Sequence, residues 1–187
     1  MTTWHQLTRA APVANTIVTL AEAKTQLRVT HSDEDDFILR LIKVAQAQID
    51  GPDGAGIAAV QCQWRLSLDA FPAVIRLPLN PVRSILSITY DNGSVQTLSP
   101  TAYTLDKDRS PAIIAPAYGT SWPTSRAIPG AVKITFEAGY DATPEDLKQA
   151  ALLLISHYYD RREATGEKAA ELPFGVTAVL GRYRPLA

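Results

Sequence analysis

The sequence predicts an α+β protein: a small helical bundle (two N-terminal helices, a long central helix and a short C-terminal helix) with an inserted antiparallel β domain. Three observations carry this prediction. Apolar residues recur at helical spacing in an early block and again in a late one. Between those blocks, beginning at Ala58, the period changes from helical to two. Most of the 13 prolines fall in that alternating region, at strand ends and turns, where they stop edge pairing and helix growth. The expected divisions are 1–57 for an N-terminal arm and two helices, 58–138 for the β domain, and 139–187 for the long helix, the short helix and the tail.

Residues 1–17 read as an arm with little structure of its own, with Trp4 as its large apolar handle. Thr19 to Glu22 is a capping box that opens a helix to about Arg28, and Val18 with Ala23 suits the adjoining hydrophobic staple. Ser32 is placed to cap a second helix whose first turn is Asp33 to Asp36. Its stripe is Phe37, Ile38, Leu41, Ile42, Ala45, Gln48 and Ile49. The glycines and proline between Asp50 and Gly56 end it.

Val60, Cys62, Trp64, Leu66 and Leu68 alternate with polar residues as a strand with one buried face. Shorter strands are expected at Val74–Leu77, Ile85–Tyr90, Val95–Leu98, Tyr103–Asp106, Ile113–Ala115 and Ala131–Ala138. Asp91-Asn92-Gly93-Ser94 marks a hairpin. Tyr118–Gly130 has no period and reads as a long exposed loop.

The stretch from Thr143 to Gly166 reads as the central helix. Thr143 is its N-cap, Pro144 fits the first position, Glu145 and Asp146 face the positive end of the dipole, and Gly166 is its stop. Leu147, Ala150, Ala151, Leu154, Ile155 and Tyr158 form one face, and Leu152 and Leu153 extend the apolar surface to the other, so packing on several sides is expected. Its length would be roughly 30 Å. Pro173 to about Arg182 forms the terminal helix, followed by a basic tail.

The whole-chain balance excludes several functions. A net charge of −1 and a pI near 6.3 do not suit a dedicated nucleic-acid binder. One cysteine, Cys62, precludes a disulfide framework, and no run approaches the ~18 apolar residues of a membrane span. The start of the chain lacks the pattern of a secretion signal, so a soluble protein made in a cytoplasm is expected. His31 with the carboxylates at 33–36 is the nearest approach to a metal or acid–base site. Consecutive helix positions point to different sides, however, and an acidic first turn is accounted for by the dipole. His157 reads as a packed or interface residue and Cys62 as a small hydrophobe. Nucleophile-elbow, phosphate-loop and zinc-helix patterns are missing, so neither catalysis nor a cofactor or metal is expected.

Seven segments in this order carry a resemblance: LAEAKTQLRV at 20–29, DDFILRLI at 35–42, QWRLSL at 63–68, LPLNPV at 77–82, PGAVKITF at 129–136, LLLISHYYDRRE at 152–163 and LPFGV at 172–176. Together they resemble the head–tail connector (adaptor) family of tailed bacteriophages and related prophages, over residues 17–184. The chain departs from that pattern at 50–60, where related sequences pass from helix to strand more directly. The resemblance implies a structural virion protein in the neck, made in the host cytoplasm. It implies a homo-oligomeric, dodecameric ring seated under the portal protein, with a head-completion (stopper) or tail protein below. Packaged DNA would pass through without sequence-specific binding, and no membrane would be involved.

Within that expectation, Phe174, Arg182, Tyr183, Arg184, Pro185 and Leu186 are the candidate portal-binding residues, since a basic-aromatic tail suits an interface anchor. Trp4, Tyr118, Trp122, Arg126 and Tyr159 are the candidate subunit-interface residues. The alternative is a ligand- or carbohydrate-binding module in which Tyr118, Trp122 and Arg126 of the β domain form the site.

Overall fold

The computed structural model describes residues 6–13, 15–161 and 174–183. These divide into two compact units, one of 6–13 and 61–139, the other of 15–60, 140–161 and 174–183. The first is the sheet unit and the second the helical one.

In the sheet unit, β1 (Gln6–Arg9), β2 (Cys62–Leu68), β8 (Val132–Ala138), β4 (Val82–Asp91) and β5 (Val95–Thr97) form an antiparallel sheet in that spatial order. A second sheet has the order β3 (Ile75–Arg76), β7 (Ile113–Pro116), β6 (Tyr103–Asp106). The period-two pattern explains the core. Trp64 lies directly opposite Phe136 and Leu66 opposite Ile134, and all four are at most 2% exposed. Ile88 continues the row on β4, opposite Ile134. Two register shifts between β4 and β8, at 82–84 and 85–87, bend this strand past its neighbour. The hairpin expected at 91–94 joins β4 to β5.

The expected arm is in part a strand. Gln6–Arg9 pairs with β2, and the Arg9 guanidinium lies 5.0 Å over the Trp64 ring. Trp4 lies outside the described residues. The expected boundary at 57 also moves, because Ala58, Ala59 and Val60 are buried in the helical unit rather than beginning a strand. The Asp50 carboxylate holds them there by accepting the Ala59 amide at 2.7 Å.

In the helical unit, α1 (Leu20–Leu27) carries the complete capping box. Thr19 Oγ1 accepts the Glu22 amide at 3.2 Å, and Glu22 Oε2 accepts the Thr19 amide at 2.6 Å. These bonds hold the Glu22 carboxyl below its ordinary range. The helix α2 (Asp35–Ile49) begins later than expected. Ser32 accepts the Asp35 amide through its backbone carbonyl, and Glu34 takes the capping position without a side-chain bond. Its core stripe is Ile38, Leu41, Ile42, Ala45, Gln46 and Ile49, so Gln46 replaces the expected Gln48. The buried Gln46 amide accepts from Ile17 N at 3.3 Å.

The α2 stop is a compact turn. Gly51 N donates to Ile57 O at 2.7 Å, and Gly54 crosses the α2 backbone so closely that a Cβ there would lie 2.9 Å from Ala47 O and Gln48 O.

The central helix α3 runs from Glu145 to Asp160, about 24 Å rather than 30. Thr143 does not cap it, since its hydroxyl donates to Ala59 O at 3.2 Å. Pro144 takes the capping position, and Arg161 leaves the helix at φ −112°. The expected stop at Gly166 lies outside the described residues. Its buried stripe is Leu147, Ala150, Ala151, Leu154 and Ile155, while Leu152 and Leu153 are only half-buried. Packing is therefore concentrated on one side. Helix α4 (Phe174–Tyr183) buries Val176 and Leu180.

Two glycine substitutions separate close approach from mere helix cost. Gly54→Ala is expected to destabilise the protein by about 1–3 kcal/mol, because the obstructing atoms are backbone. Gly181→Ala, which meets nothing within 4 Å on α4, is expected to stabilise it by up to ~1 kcal/mol. Denaturant melts of the two variants should move in opposite directions.

Candidate interaction surfaces

The described residues hold no group of three His, Cys, Asp or Glu side chains able to bind a metal. The acidic cluster shows why. Asp35 binds Lys24 Nζ at 2.6 Å, the Glu34 carboxylate accepts the Tyr159 hydroxyl, and Asp33 lies 3.7 Å from His31 Nδ1. Three neighbouring acids thus have three separate partners. Cys62 is buried, with its thiol donating to Ala11 O at 3.4 Å.

The candidate portal residues fare unequally. Phe174 begins α4, Arg182 is exposed near its end, and Arg184, Pro185 and Leu186 lie outside the described residues. Tyr183 has an intramolecular role. Its hydroxyl donates to Asp146 Oδ1 at 2.6 Å in the first turn of α3, and its ring meets Tyr140 edge-on at 6.3 Å. Burial, the Asp146 bond and the Asp146 charge push the Tyr183 hydroxyl up to about 12, against the opposing pull of Arg182. The α4 end is thereby tied to the α3 start.

The candidate subunit contacts also scatter. Tyr159 turns to Glu34 and packs 6.0 Å from Phe37. Trp122 stacks on Phe71 at 4.9 Å and 10°, with Nε1 donating to Ala73 O at 3.3 Å. Phe71 in turn meets Tyr90 edge-on at 5.7 Å. The Arg126 amide donates to Asp91 O at 2.7 Å while its side chain stays exposed. Only Tyr118 of the described three in this loop is wholly exposed, at 105%. One face of the loop's indole is thus covered by Phe71, and its exposed aromatic is Tyr118.

Sequence reasoning missed the free rim of the sheet. Val95, Gln96 and Thr97 of β5 are all exposed, Val95 at 75%. Beside them an open cleft of about 230 Å³ is lined by Asp91, Ile128 and Lys133. A single exposed valine in a three-residue strand carries no signal until the sheet order is known.

The Tyr183–Asp146 tether fixes a pH response. Raised above its ordinary value of 10, the tyrosine contributes stability that is complete below pH 10 and lost as pH climbs through about 12. Ultraviolet titration of tyrosine ionisation should show a component near pH 12, beyond the other raised tyrosines, that disappears in Tyr183→Phe and titrates earlier in Asp146→Asn.

Comparison with known proteins gives two consistent findings. Residues 17–94 match the family described as phage gp6-like head–tail connector protein. No curated protein sequence matches the chain. Among solved structures, a chain from the neck of an empty GTA particle, computed with C6 symmetry, aligns at TM-score 0.80 and 29% identity, covering 97% of this chain and 96% of that one. A chain from the virion of a native gene transfer agent particle aligns at TM-score 0.79 and 29% identity, with the same coverage of 97% and 96%. A third, from the neck of a native GTA particle computed with C12 symmetry, gives TM-score 0.72 and 25% identity, again over 97% and 96%. The α+β fold expected from the sequence is thus the fold of a particle-neck chain over nearly its full length. Over residues 17–94 the chain is thus similar to the phage gp6-like head–tail connector family, whose members are structural proteins, and over nearly its full length to chains of particle necks.

Proposed function

We propose that the protein is the structural connector of a phage-like particle, one subunit of a neck ring of about a dozen copies that joins head to tail and continues the DNA channel. The observation that carries this reading is the end-to-end correspondence, 97% of the chain at TM-score 0.80, with a chain from a particle neck. Neck assemblies computed with C6 and C12 symmetry support a ring order that both symmetries divide. The net charge of −1 supports a channel wall that lets DNA pass without holding it.

In this reading the portal protein sits on one side of the ring and a stopper or tail protein on the other. The C-terminal end reaches the portal through Arg182 and residues 184–186. Tyr183 anchors that end to α3 rather than contacting the portal, since its hydroxyl is engaged by Asp146. Tyr118 is the best-exposed aromatic for a neighbouring subunit.

Removing residues 184–187 spares the Tyr183 anchor and is expected to leave the melting curve unchanged while abolishing attachment to portal. Electron microscopy of the purified protein mixed with portal should show portal-bound rings for the full chain and bare portals for the truncation. Portal-bound rings from the truncated chain would remove the C-terminal end from that role. Isolated monomers from the full chain with portal present would end the connector reading.

A further inference from the structure

The five-stranded sheet ends in two open edges, β1 on one side and β5 on the other, with no further strand beyond either among the described residues. Every pairing in it is antiparallel. With an odd number of strands, the two outermost must run in the same direction. The hydrogen-bond phase says which backbone groups each edge presents. The Leu98 amide donates to Ile88 O, and Asn92 to Ser94 O. The alternation of an antiparallel ladder then turns Gln96 towards β4 and the amides and carbonyls of Val95 and Thr97 outward. At the other edge Ala10 donates to Gln63 O, so Thr8 faces β2 and the Leu7 amide and carbonyl face outward.

We infer that the β5 edge of one subunit pairs in parallel with the β1 edge of a second copy, so that the sheet runs on from subunit to subunit. This deepens the ring reading above and rests on it. In the parallel register Leu7 of one copy lies opposite Gln96 of the other, its amide directed at Val95 O and its carbonyl at the Thr97 amide. That uses both outward groups of Leu7 and one each from Val95 and Thr97. Leu7 and Gln96 both project from the core face of their sheets, Leu7 beside Leu66 and Gln96 beside Tyr90, so the two faces stay continuous across the junction. A rotation about a ring axis keeps strand direction, which is what parallel pairing of unlike edges needs, and unlike edges make the heterologous contact that closes a ring.

Edge chemistry favours the same occupant. Native edges are guarded by lysine, proline or bulges, yet β5 reads Val-Gln-Thr, uncharged and exposed throughout. The one charge on β1, Arg9, therefore meets no like charge on β5.

The register is testable by disulfides. It places Thr8 of one copy opposite Thr97 of the next, at the ~4.8 Å strand spacing that a disulfide can span. The double variant Thr8→Cys/Thr97→Cys, assembled and mildly oxidised, should give covalent ladders longer than a dimer. Gln6→Cys/Thr97→Cys, displaced by two residues, should not. Thr97→Pro removes an outward donor while leaving the β4 ladder intact. It should keep the melting curve and raise the concentration needed for assembly about tenfold. Rings seen by electron microscopy that yield no Thr8–Thr97 ladder would overturn the edge pairing and leave the ring reading standing. Thr97→Cys alone linking into dimers would assign β5 to a two-fold contact and overturn it equally. Monomers under all conditions, portal included, would end both readings.

Discussion

The structure depends on how the inserted sheet leaves and rejoins the helical unit. The chain departs through β2 and returns through β8, and these are neighbouring antiparallel strands with Cys62 opposite Ala138. An insertion of that length would otherwise hold two halves of a helical bundle apart. Because exit and return are hydrogen-bonded partners, the gap between Val60 and Tyr140 is closed by the sheet itself. Strand β8 is central in the order β1-β2-β8-β4-β5, and Val132, Ile134, Phe136 and Ala138 along it are all buried. Its pairing with β2 closes the longest loop in the sheet, so the loop-closure entropy of the insertion is concentrated in one strand pair. The Trp64–Phe136 pair stands on that same rung, and apolar burial opposes the closure cost where it is largest.

Much of this was legible in the sequence because the signals were local and repeated. The capping box at Thr19–Glu22, the turn at 91–94 and the alternation along 62–68 and 132–138 depend on near neighbours only. What was not legible depended on partners distant in sequence. Gln6–Arg9 has one apolar residue in four and becomes a strand only because β2 offers it an edge. Ser32 meets the Asp35 amide through its carbonyl rather than its side chain. Thr143 failed as a cap where its hydroxyl found Ala59 O, a tertiary partner in place of a local one.

The candidate contact residues show the same limit more sharply. An aromatic or basic residue near a terminus or in a loop suits an interface, and it suits an intramolecular clasp equally. Tyr159 meets Glu34, Trp122 stacks on Phe71 and Tyr183 donates to Asp146, intramolecular contacts that residue type alone does not reveal. Type and position did not separate these from Tyr118, which has the same composition signal and is wholly exposed. The informative surface was backbone instead. Exposed edge amides and carbonyls leave no trace in residue type, since every residue carries them.

That point bears on how such a protein assembles without a charged or strongly apolar patch. A sheet edge offers directional hydrogen bonds whose geometry, rather than side-chain chemistry, fixes the register of the partner. Three exposed residues on β5 give a weak contact singly, which suits a subunit that must stay separate until it meets a template. In the ring proposed above each subunit would contribute both of its edges, and opening it anywhere would break a junction with no compensating gain of entropy until a subunit leaves. Weak pairwise edges would then become a stable ring by closure, as multivalent contacts do generally. An even-stranded sheet would have ended in strands running oppositely, and a rotated copy would then meet it antiparallel. The parity of the strand count would select parallel junctions in the proposed ring, and that parity is set by the recruitment of Gln6–Arg9, a segment with little signal in the sequence.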